Sequence, residues 1–179
     1  MKITKKISIK ELAALVCQNL KNADIDAFLS GGAVVSIYTN NKYESYDLDF
    51  VSFSDRKKIK SVMESLGFSQ KKTRHFVHPE TLYFVEFPGS SMMVGDQKII
   101  DFDEIKSHGN VLKLLTPTDC IKDRLAAYIH WNDLQSLEQA ALVAKNQGVK
   151  IRAVQEFCKL EGSIKAFDDF KKYLSKMKK

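Results

Sequence analysis

The chain has 179 residues, of which 44% are hydrophobic and 28% are charged, and these values are typical of one or two soluble globular domains. No apolar run approaches the roughly 20 residues of a membrane-spanning helix, and no apolar segment follows the basic start as it would in a secretory signal. The net charge of +6 favours anionic partners such as nucleotides and nucleic acid, with a solvated lysine-rich surface as the alternative explanation.

The cysteines predict a reducing compartment. Cys17, Cys120 and Cys158 lie far apart among apolar residues and show no metal-binding spacing, so we expect buried free thiols in a cytoplasmic protein. The four histidines also lack the spacing of a zinc site.

The first elements form a strand, turn and helix unit. A helix is predicted from Ile9 to Asn22, because Ser8 and Glu11 form a capping box before an apolar repeat of helical spacing. A short strand over residues 26–29 then leads into the turn Ser30-Gly31-Gly32, and a second helix follows over residues 33–38.

A sheet followed by helices is predicted for the rest of the chain. The clearest strand covers residues 46–53, and a helix over residues 55–66 ends before Gly67. Shorter strands are expected over residues 68–72, 75–78, 81–87 and 98–102, and helices over 117–131, 134–146, 151–160 and 164–177. This order indicates an α/β (α+β) fold with a sheet domain over residues 1–115 and a helical portion over residues 116–179.

Two aspartates open the clearest strand. Side chains alternate along a strand, so Asp47 and Asp49 project from one face while Leu48 and Phe50 point towards a core on the other. Carboxylates at the end of an otherwise apolar face need a metal ion or a basic partner, because burying them unpaired is costly.

A third acid also lies at the end of an apolar strand face. Glu86 ends an apolar stripe on the predicted strand over residues 81–87. Three strand-borne carboxylates suit Mg²⁺, and two such ions suit phosphoryl or nucleotidyl transfer. Asp101 and Asp103 are the alternative candidates for this third position.

The turn after the first short strand supplies hydrogen-bond donors, which the carboxylates lack. Adjacent glycines let the backbone approach a phosphate and present N–H donors at a helix start, and Ser30 adds a hydroxyl. The phosphate-binding turn Ser30-Gly31-Gly32 and the metal-binding pair therefore come from neighbouring elements.

The order of these motifs resembles the nucleotidyltransferase superfamily. Members have a hydrophobic strand, a Gly-Gly or Gly-Ser turn and, after a gap, an Asp-hydrophobic-Asp motif. The corresponding segments here are FLSGG at residues 28–32 and DLDF at residues 47–50, with a gap longer than usual. The resemblance implies a nucleotidyltransferase-like mixed β-sheet with flanking helices and a C-terminal helical portion.

Functional roles are carried over from the same resemblance. It implies phosphate contacts from Gly31 and Gly32 and metal ligation by Asp47 and Asp49. Glu86 is the best match to the third acid, although members usually have Asp there.

The resemblance covers about residues 26–145 and includes the segment LTPTDCIKDRLAA at residues 115–127. This segment resembles small bacterial nucleotidyltransferase-like proteins, including the toxin component of abortive-infection systems, and it implies that Arg124 faces the nucleotide. Arg124, Tyr128 and Trp131 lie near one another at helical spacing. The two rings either meet a nucleotide base or pack against the sheet, with Arg124 paired to an acid.

The expected function is transfer of a nucleoside monophosphate from an NTP to an RNA, protein or small-molecule acceptor, with two magnesium ions. One alternative is a catalytically inactive member of this fold that binds nucleotide, RNA or a protein partner. A further alternative is a structural module whose acids pair with lysines. The sequence leaves the acceptor and the oligomeric state open.

Overall fold

The computed structural model describes residues 2–70, 74–89 and 93–177. It contains two compact units, and each is built from several segments of the chain. The first unit comprises residues 1–33, 44–91 and 102–114, and the second comprises residues 34–43, 92–101 and 115–179. The two-domain division at residue 115 stays a prediction.

The helices follow the order expected from the sequence, whereas the strands at residues 93–94 and 110–115 are not among those expected. The helices are α1 (Ile9–Asn22), α2 (Gly31–Tyr38), α3 (Arg56–Ser65), α4 (Pro117–Trp131), α5 (Leu134–Asn146), α6 (Ile151–Leu160) and α7 (Ile164–Met177). The strands are β1 (Ala27–Ser30), β2 (Asp47–Ser52), β3 (Ser69–Gln70), β4 (Phe76–Val77), β5 (Phe84–Glu86), β6 (Met93–Val94), β7 (Gln97–Lys98), β8 (Phe102–Ser107) and β9 (Asn110–Leu115).

Local capping explains where the helices of the first unit begin and end. The Ser8 side chain accepts from the backbone N–H of Glu11, whose carboxylate accepts from the Ser8 backbone, so the predicted capping box at the start of α1 is confirmed. Asp55 caps α3 through the backbone N–H groups of the first turn. Gly67, with a φ of 87°, follows α3 in the left-handed conformation that glycine adopts without strain.

A mixed seven-stranded sheet runs through the first unit in the order β3-β4-β5-β2-β1-β9-β8. Strand β2 runs antiparallel to β1 and parallel to β5, while β1 runs parallel to β9. The expectation of a mixed α/β sheet with flanking helices is therefore confirmed. Helix α1 packs on β1 and β8 and beside α3.

The alternation predicted for the central strand is present in β2. Leu48 and Phe50 have no exposed surface, whereas Asp47, Asp49 and Val51 are half-buried on the opposite face. The buried face of β2 anchors the strand in the core, so the acidic face is held in a fixed position.

In the second unit, α4 packs against α5 and α6, and both α5 and α6 pack against α7. Thr116 caps α4 with Pro117 at the first helical position, and Asp133 caps α5, as the sequence predicts. The Tyr38 hydroxyl at the end of α2 donates to the backbone carbonyl of Leu115 over 2.8 Å. None of the described helices is long and apolar enough to cross a membrane.

The short strands are predicted less accurately. The strand expected over residues 98–102 is wrong, because residues 99–101 have no strand structure and separate β7 from β8. Strand β8 instead continues to Ser107 and is joined to β9 by residues 108 and 109. Lys71 and Lys72, at the end of another predicted strand, lie outside the described residues.

Candidate functional site

Three acidic side chains meet on neighbouring strands of the sheet. In the parallel pairing of β2 with β5, Asp49 lies opposite Glu86 and Asp47 lies opposite Phe84. One oxygen from each of Asp47, Asp49 and Glu86 lies within 4.8 Å of the others. These three residues are called the acidic cluster below, and the structure brings together all three acids proposed from the sequence.

The acidic cluster is electrostatically unfavourable without a cation. Oδ1 of Asp47 is buried and has no hydrogen-bond partner among the described residues. Burial raises the pKa of Asp47 from 3.8 to about 7, with further contributions from the charges of Asp49 and Glu86, while Arg74 acts in the opposite direction. A divalent cation would satisfy the orphaned oxygen and remove the repulsion.

The dimensions and chemistry of the acidic cluster fit magnesium. The ion binds oxygen ligands at 2.0–2.1 Å in an octahedron, so opposite ligands are about 4.2 Å apart. The three candidate oxygens all lie within 4.8 Å of one another, which is compatible with that span. Asp47, with its orphaned oxygen, is the strongest candidate ligand, and Asp49 extends from the same face of β2.

Glu86 already has two basic partners. Its Oε2 accepts from Nε of Arg74 over 2.8 Å, and its Oε1 is in close contact with Nε2 of His75. The Glu86 side chain is only 5% exposed, so these partners compensate a carboxylate that would otherwise be buried with like charges. Ligation of a metal by Glu86 would require sharing or replacing one of them.

Arg74 and His75 are functional candidates that the sequence did not reveal. Residue 75 faces Glu86 because β4 pairs antiparallel with β5, with Phe76 opposite Val85. The sequence contains His75 within a predicted strand, but it gives no register between that strand and β5. Only this pairing identifies the two basic residues as partners of the acidic cluster.

The Ser30-Gly31-Gly32 turn lies directly beside the acidic cluster. Ser30 pairs with Asp49 across the β1–β2 ladder, and its hydroxyl donates to the Asp49 carbonyl over 3.3 Å. Gly31 has a φ of 71°, and a Cβ at this position would collide with Oδ2 of Asp49. A residue with a side chain is therefore disfavoured twice, by the backbone conformation and by the need to displace the Asp49 carboxylate.

Helix α2 starts at Gly31, so the backbone N–H groups of its first turn lie next to the Ser30-Gly31-Gly32 turn. Gly32 is half-buried in this first turn. Helix starts bind anions through such groups, and the acidic cluster beside them needs a cation. This combination suits a metal-bound phosphate.

The other candidates lie elsewhere in the chain. Asp101 is exposed and belongs to the second unit, and Asp103 lies on β8, which β9 and β1 separate from β2. Arg124 also belongs to the second unit, where its guanidinium donates to Asp123 and Gln139. Its contact with a nucleotide stays a prediction.

The two rings near Arg124 differ from each other. The Tyr128 hydroxyl donates to Asp169 over 2.9 Å, while Trp131 is 77% exposed. Core packing, one of the two predicted roles for both rings, is therefore wrong for Trp131. His130, at the end of α4, forms a hydrogen bond with Glu161 over 2.7 Å.

Comparisons with known proteins agree with this description of the fold, which is nucleotidyltransferase-like. A crystal structure of an antigenic nucleotidyltransferase-like protein from Paracoccidioides brasiliensis matches with a TM-score of 0.57 at 16% identity, over 97% of this chain and 88% of that chain. The solution structure of the antibiotic-resistance factor ANT(2″)-Ia matches with a TM-score of 0.53 at 11% identity, over 86% and 92%. No protein-family model matches the sequence, and no curated protein matches it significantly.

Proposed function

We propose that this protein is a magnesium-dependent nucleotidyltransferase that moves a nucleoside monophosphate from an NTP to a hydroxyl group of an RNA, protein or small-molecule acceptor. The observation that carries the proposal is the acidic cluster with its orphaned Asp47 oxygen, placed beside a glycine turn that opens a helix. The cluster would hold the metal, and the turn would hold the phosphates. The two solved structures with this fold support the same class of reaction.

In the proposed reaction, the acceptor oxygen forms a bond with the α-phosphorus while the bond between that phosphorus and the bridging oxygen breaks, and pyrophosphate leaves. Magnesium bound to Asp47 and Asp49 would stabilise the charge that develops on the phosphoryl oxygens. Backbone N–H groups of Gly31 and Gly32 would orient the phosphates, with Ser30 holding the turn against β2. Glu86 would either complete a second metal site or accept the acceptor proton.

One observation favours a second candidate function. Both oxygens of Glu86 already have basic partners, Arg74 and His75. If these contacts persist with nucleotide bound, Glu86 has less capacity to ligate a metal or to receive a proton. The protein would then bind nucleotide without transferring it, with an RNA or protein partner responding to the bound state.

The test combines metal binding, nucleotide binding and label transfer. Wild type is incubated with each labelled NTP, magnesium and either total RNA or total protein, and magnesium affinity is measured by calorimetry. Asp47→Asn combined with Asp49→Asn should abolish transfer and weaken magnesium binding at least tenfold. Asp101→Asn combined with Asp168→Asn is the matched control, because both of these acids are exposed and lie outside the acidic cluster.

The outcomes separate the two candidates. Transfer that depends on the acidic cluster supports the enzyme. Saturable, magnesium-dependent NTP binding without transfer, lost in the cluster variant, supports the binding protein. If wild type binds neither magnesium nor NTP, or if the control variant behaves like the cluster variant, the proposal is wrong.

A further inference from the structure

The sheet places the turn at the start of α2, the acidic cluster and Arg74 in one row. Ser30 of β1 lies opposite Asp49 of β2, which in turn lies opposite Glu86 of β5. Neighbouring strands are about 4.8 Å apart, so the backbones of Ser30 and Glu86 are roughly 10 Å apart. Arg74 directly precedes the strand region of β4, which lies beyond β5 in the sheet. Arg74 and the turn therefore flank the acidic cluster from opposite sides.

Arg74 is a counter-ion of the acidic cluster in the metal-free protein. Its Nε donates to Oε2 of Glu86 over 2.8 Å. Its charge also acts on Asp47, where it opposes the rise in pKa that burial and the neighbouring carboxylates cause. One guanidinium thus partly compensates two of the three carboxylates.

A metal ion bound by Glu86 would compete with Arg74 for the same carboxylate. Both oxygens of Glu86 are already in contact with a basic side chain, and Glu86 is only 5% exposed. Two cations at one carboxylate also repel each other. Arg74 is the partner that can leave, because its side chain is 64% exposed. The other partner, His75, is 37% exposed, and its ring packs on Phe84 with the centroids 4.7 Å apart.

A displaced Arg74 would find a new anion in the bound nucleotide. Under the proposed function, the metal-bound phosphates lie between the turn at the start of α2 and the acidic cluster. The guanidinium of Arg74 is already in contact with that cluster. A guanidinium presents its donors in a planar fork that matches the oxygens of a phosphate as well as those of a carboxylate.

We propose that Arg74 is an exchangeable counter-ion, which holds Glu86 until magnesium and nucleotide bind and then passes to a phosphate oxygen of the nucleotide. This inference rests on the proposed function, because the metal and the nucleotide are those of the same site. Magnesium alone must displace Arg74 without offering it a new partner, whereas magnesium with nucleotide offers one. Arg74 therefore weakens the binding of free magnesium and strengthens the binding of the nucleotide. The exchange also releases one oxygen of Glu86.

The test measures these two affinities separately and needs no turnover. Magnesium is titrated into metal-free protein by calorimetry, and an NTP analogue with a non-cleavable bridge between the α and β phosphates is titrated in saturating magnesium. Arg74→Gln removes the charge together with the contact to Glu86. Arg56→Gln is the matched control, because Arg56 is an exposed arginine of the same unit, in the first turn of α3. In the described part of the chain, the basic partners of Glu86 are Arg74 and His75.

The two affinities of Arg74→Gln should change in opposite directions. Magnesium should bind at least about threefold more tightly than to wild type, the fold-change expected from loss of a partly exposed ion pair. The nucleotide analogue should bind at least about fivefold more weakly, as expected from loss of a hydrogen bond to a charged group. Arg56→Gln should change neither affinity by as much as twofold. Loss of a purely structural contact would instead weaken both affinities together.

Two further measurements separate a counter-ion from a bystander. In EDTA, Arg74→Gln should melt at a lower temperature than wild type, and magnesium should raise its melting temperature by more. Arg74→Lys keeps the charge but loses the fork. Its magnesium affinity should therefore lie closer to that of wild type than to that of Arg74→Gln.

Weaker magnesium binding by Arg74→Gln would overturn the inference, because Arg74 would then support the metal site instead of competing with the metal. Unchanged nucleotide affinity would overturn it as well. If the two affinities shift in opposite directions but no acceptor is ever labelled, the proposed transfer fails and the exchange stands. If label is transferred but both affinities shift in the same direction, the exchange fails and the transfer stands. Absence of magnesium binding by wild type and Arg74→Gln alike would overturn both.

Discussion

The protonation of Asp47 governs how the acidic cluster responds to pH. Its pKa is raised to about 7 from an ordinary value of 3.8, so between these values the folded state holds a proton that the unfolded state releases. Raising the pH across this window therefore lowers the free energy of unfolding of the metal-free protein. Asp47→Asn should remove this trend, and the stability of the variant relative to wild type should increase from pH 4 to pH 7. Urea denaturation in EDTA at each pH measures the free energy of unfolding of both proteins.

The stabilisation of the protein by magnesium provides a second test of the role of Asp47. The ion needs the deprotonated carboxylate, so it should raise the melting temperature of wild type more at pH 8 than at pH 5.5. Asp101→Asn should leave this pH dependence unchanged, because Asp101 is exposed. A magnesium effect that is equal at both pH values would contradict the assignment of Asp47 as a ligand.

Gly31 is the other single residue on which the geometry of the site depends. Gly31→Ala would place a side chain at a φ of 71° and against Oδ2 of Asp49. We expect a loss of at least about 1 kcal/mol in the free energy of unfolding and weaker magnesium binding as Asp49 is displaced. Gly148→Ala is the matched control, since a Cβ there meets nothing within 4 Å, and it should change stability by less than about 0.5 kcal/mol. Equal effects of the two changes would show that the Gly31 turn is not tightly packed.

At the scale of single elements, the start of α5 depends on one side chain. Asp133 accepts from the backbone N–H groups of Gln135 and Ser136 and from the Ser136 hydroxyl at 2.7 Å. Asp133→Ala should therefore reduce the free energy of unfolding by about 1 kcal/mol at pH 7, as measured by urea denaturation. Asp133→Asn keeps a capping oxygen and should cost less than half as much.

The same cap has a pH dependence of opposite sign to that of Asp47. The hydrogen bond from Ser136 lowers the pKa of Asp133 below 3.8. The stabilisation is therefore complete above the ordinary value and is lost as the pH falls through the lowered pKa. The cost of Asp133→Ala should shrink on acidification below pH 4, and a cost that grows there would contradict the role of the carboxylate.

Helices were predicted from the sequence with nearly correct limits because their signals are local. Ser8 with Glu11, Asp55, Thr116 with Pro117, and Asp133 each stand at the predicted helix starts. A cap forms between residues two or three positions apart, so the sequence itself contains the whole interaction.

The hairpin of β8 and β9 shows why strands were harder to predict. Its two-residue connection, His108-Gly109, has positive φ at both positions, 47° and 78°. This turn normally selects Asn-Gly or Asp-Gly, and histidine gives no such signal. Strand β8 also lies at the edge of the sheet, where exposed Glu104 and Lys106 weaken its hydrophobic pattern.

One part of the candidate site could be predicted from local sequence, and another part could not. Asp47 and Asp49 share a strand, so their common face follows from the sequence alone. The pairing of Arg74 and His75 with Glu86 depends on the register of β4 against β5. Register is a contact between segments, and no local pattern in these short strands specifies it.

Across the whole molecule, the three thiols report on opening of both units. Cys17 lies in the first unit, Cys120 and Cys158 lie in the second, and all three are buried and free. Burial raises the pKa of each thiol, that of Cys158 to about 11, so the reactive thiolate is scarce at neutral pH. A thiol reagent should label none of them in native buffer and all three in denaturant. Rapid labelling of a Cys158→Ser variant in native buffer would contradict the burial of the remaining two.

The chain passes between the two units five times, at residues 33, 43, 91, 101 and 114. No single cut separates them, so neither unit can be expressed as one continuous fragment. During synthesis, residues 34–43 must wait for residues 115–179 before their unit can form, a delay on the order of ten seconds at elongation rates of about 5–20 residues per second. Helix α2 begins in one unit at Gly31 and ends in the other. The second half of α2 therefore completes its unit only after residues 115–179 have been synthesised.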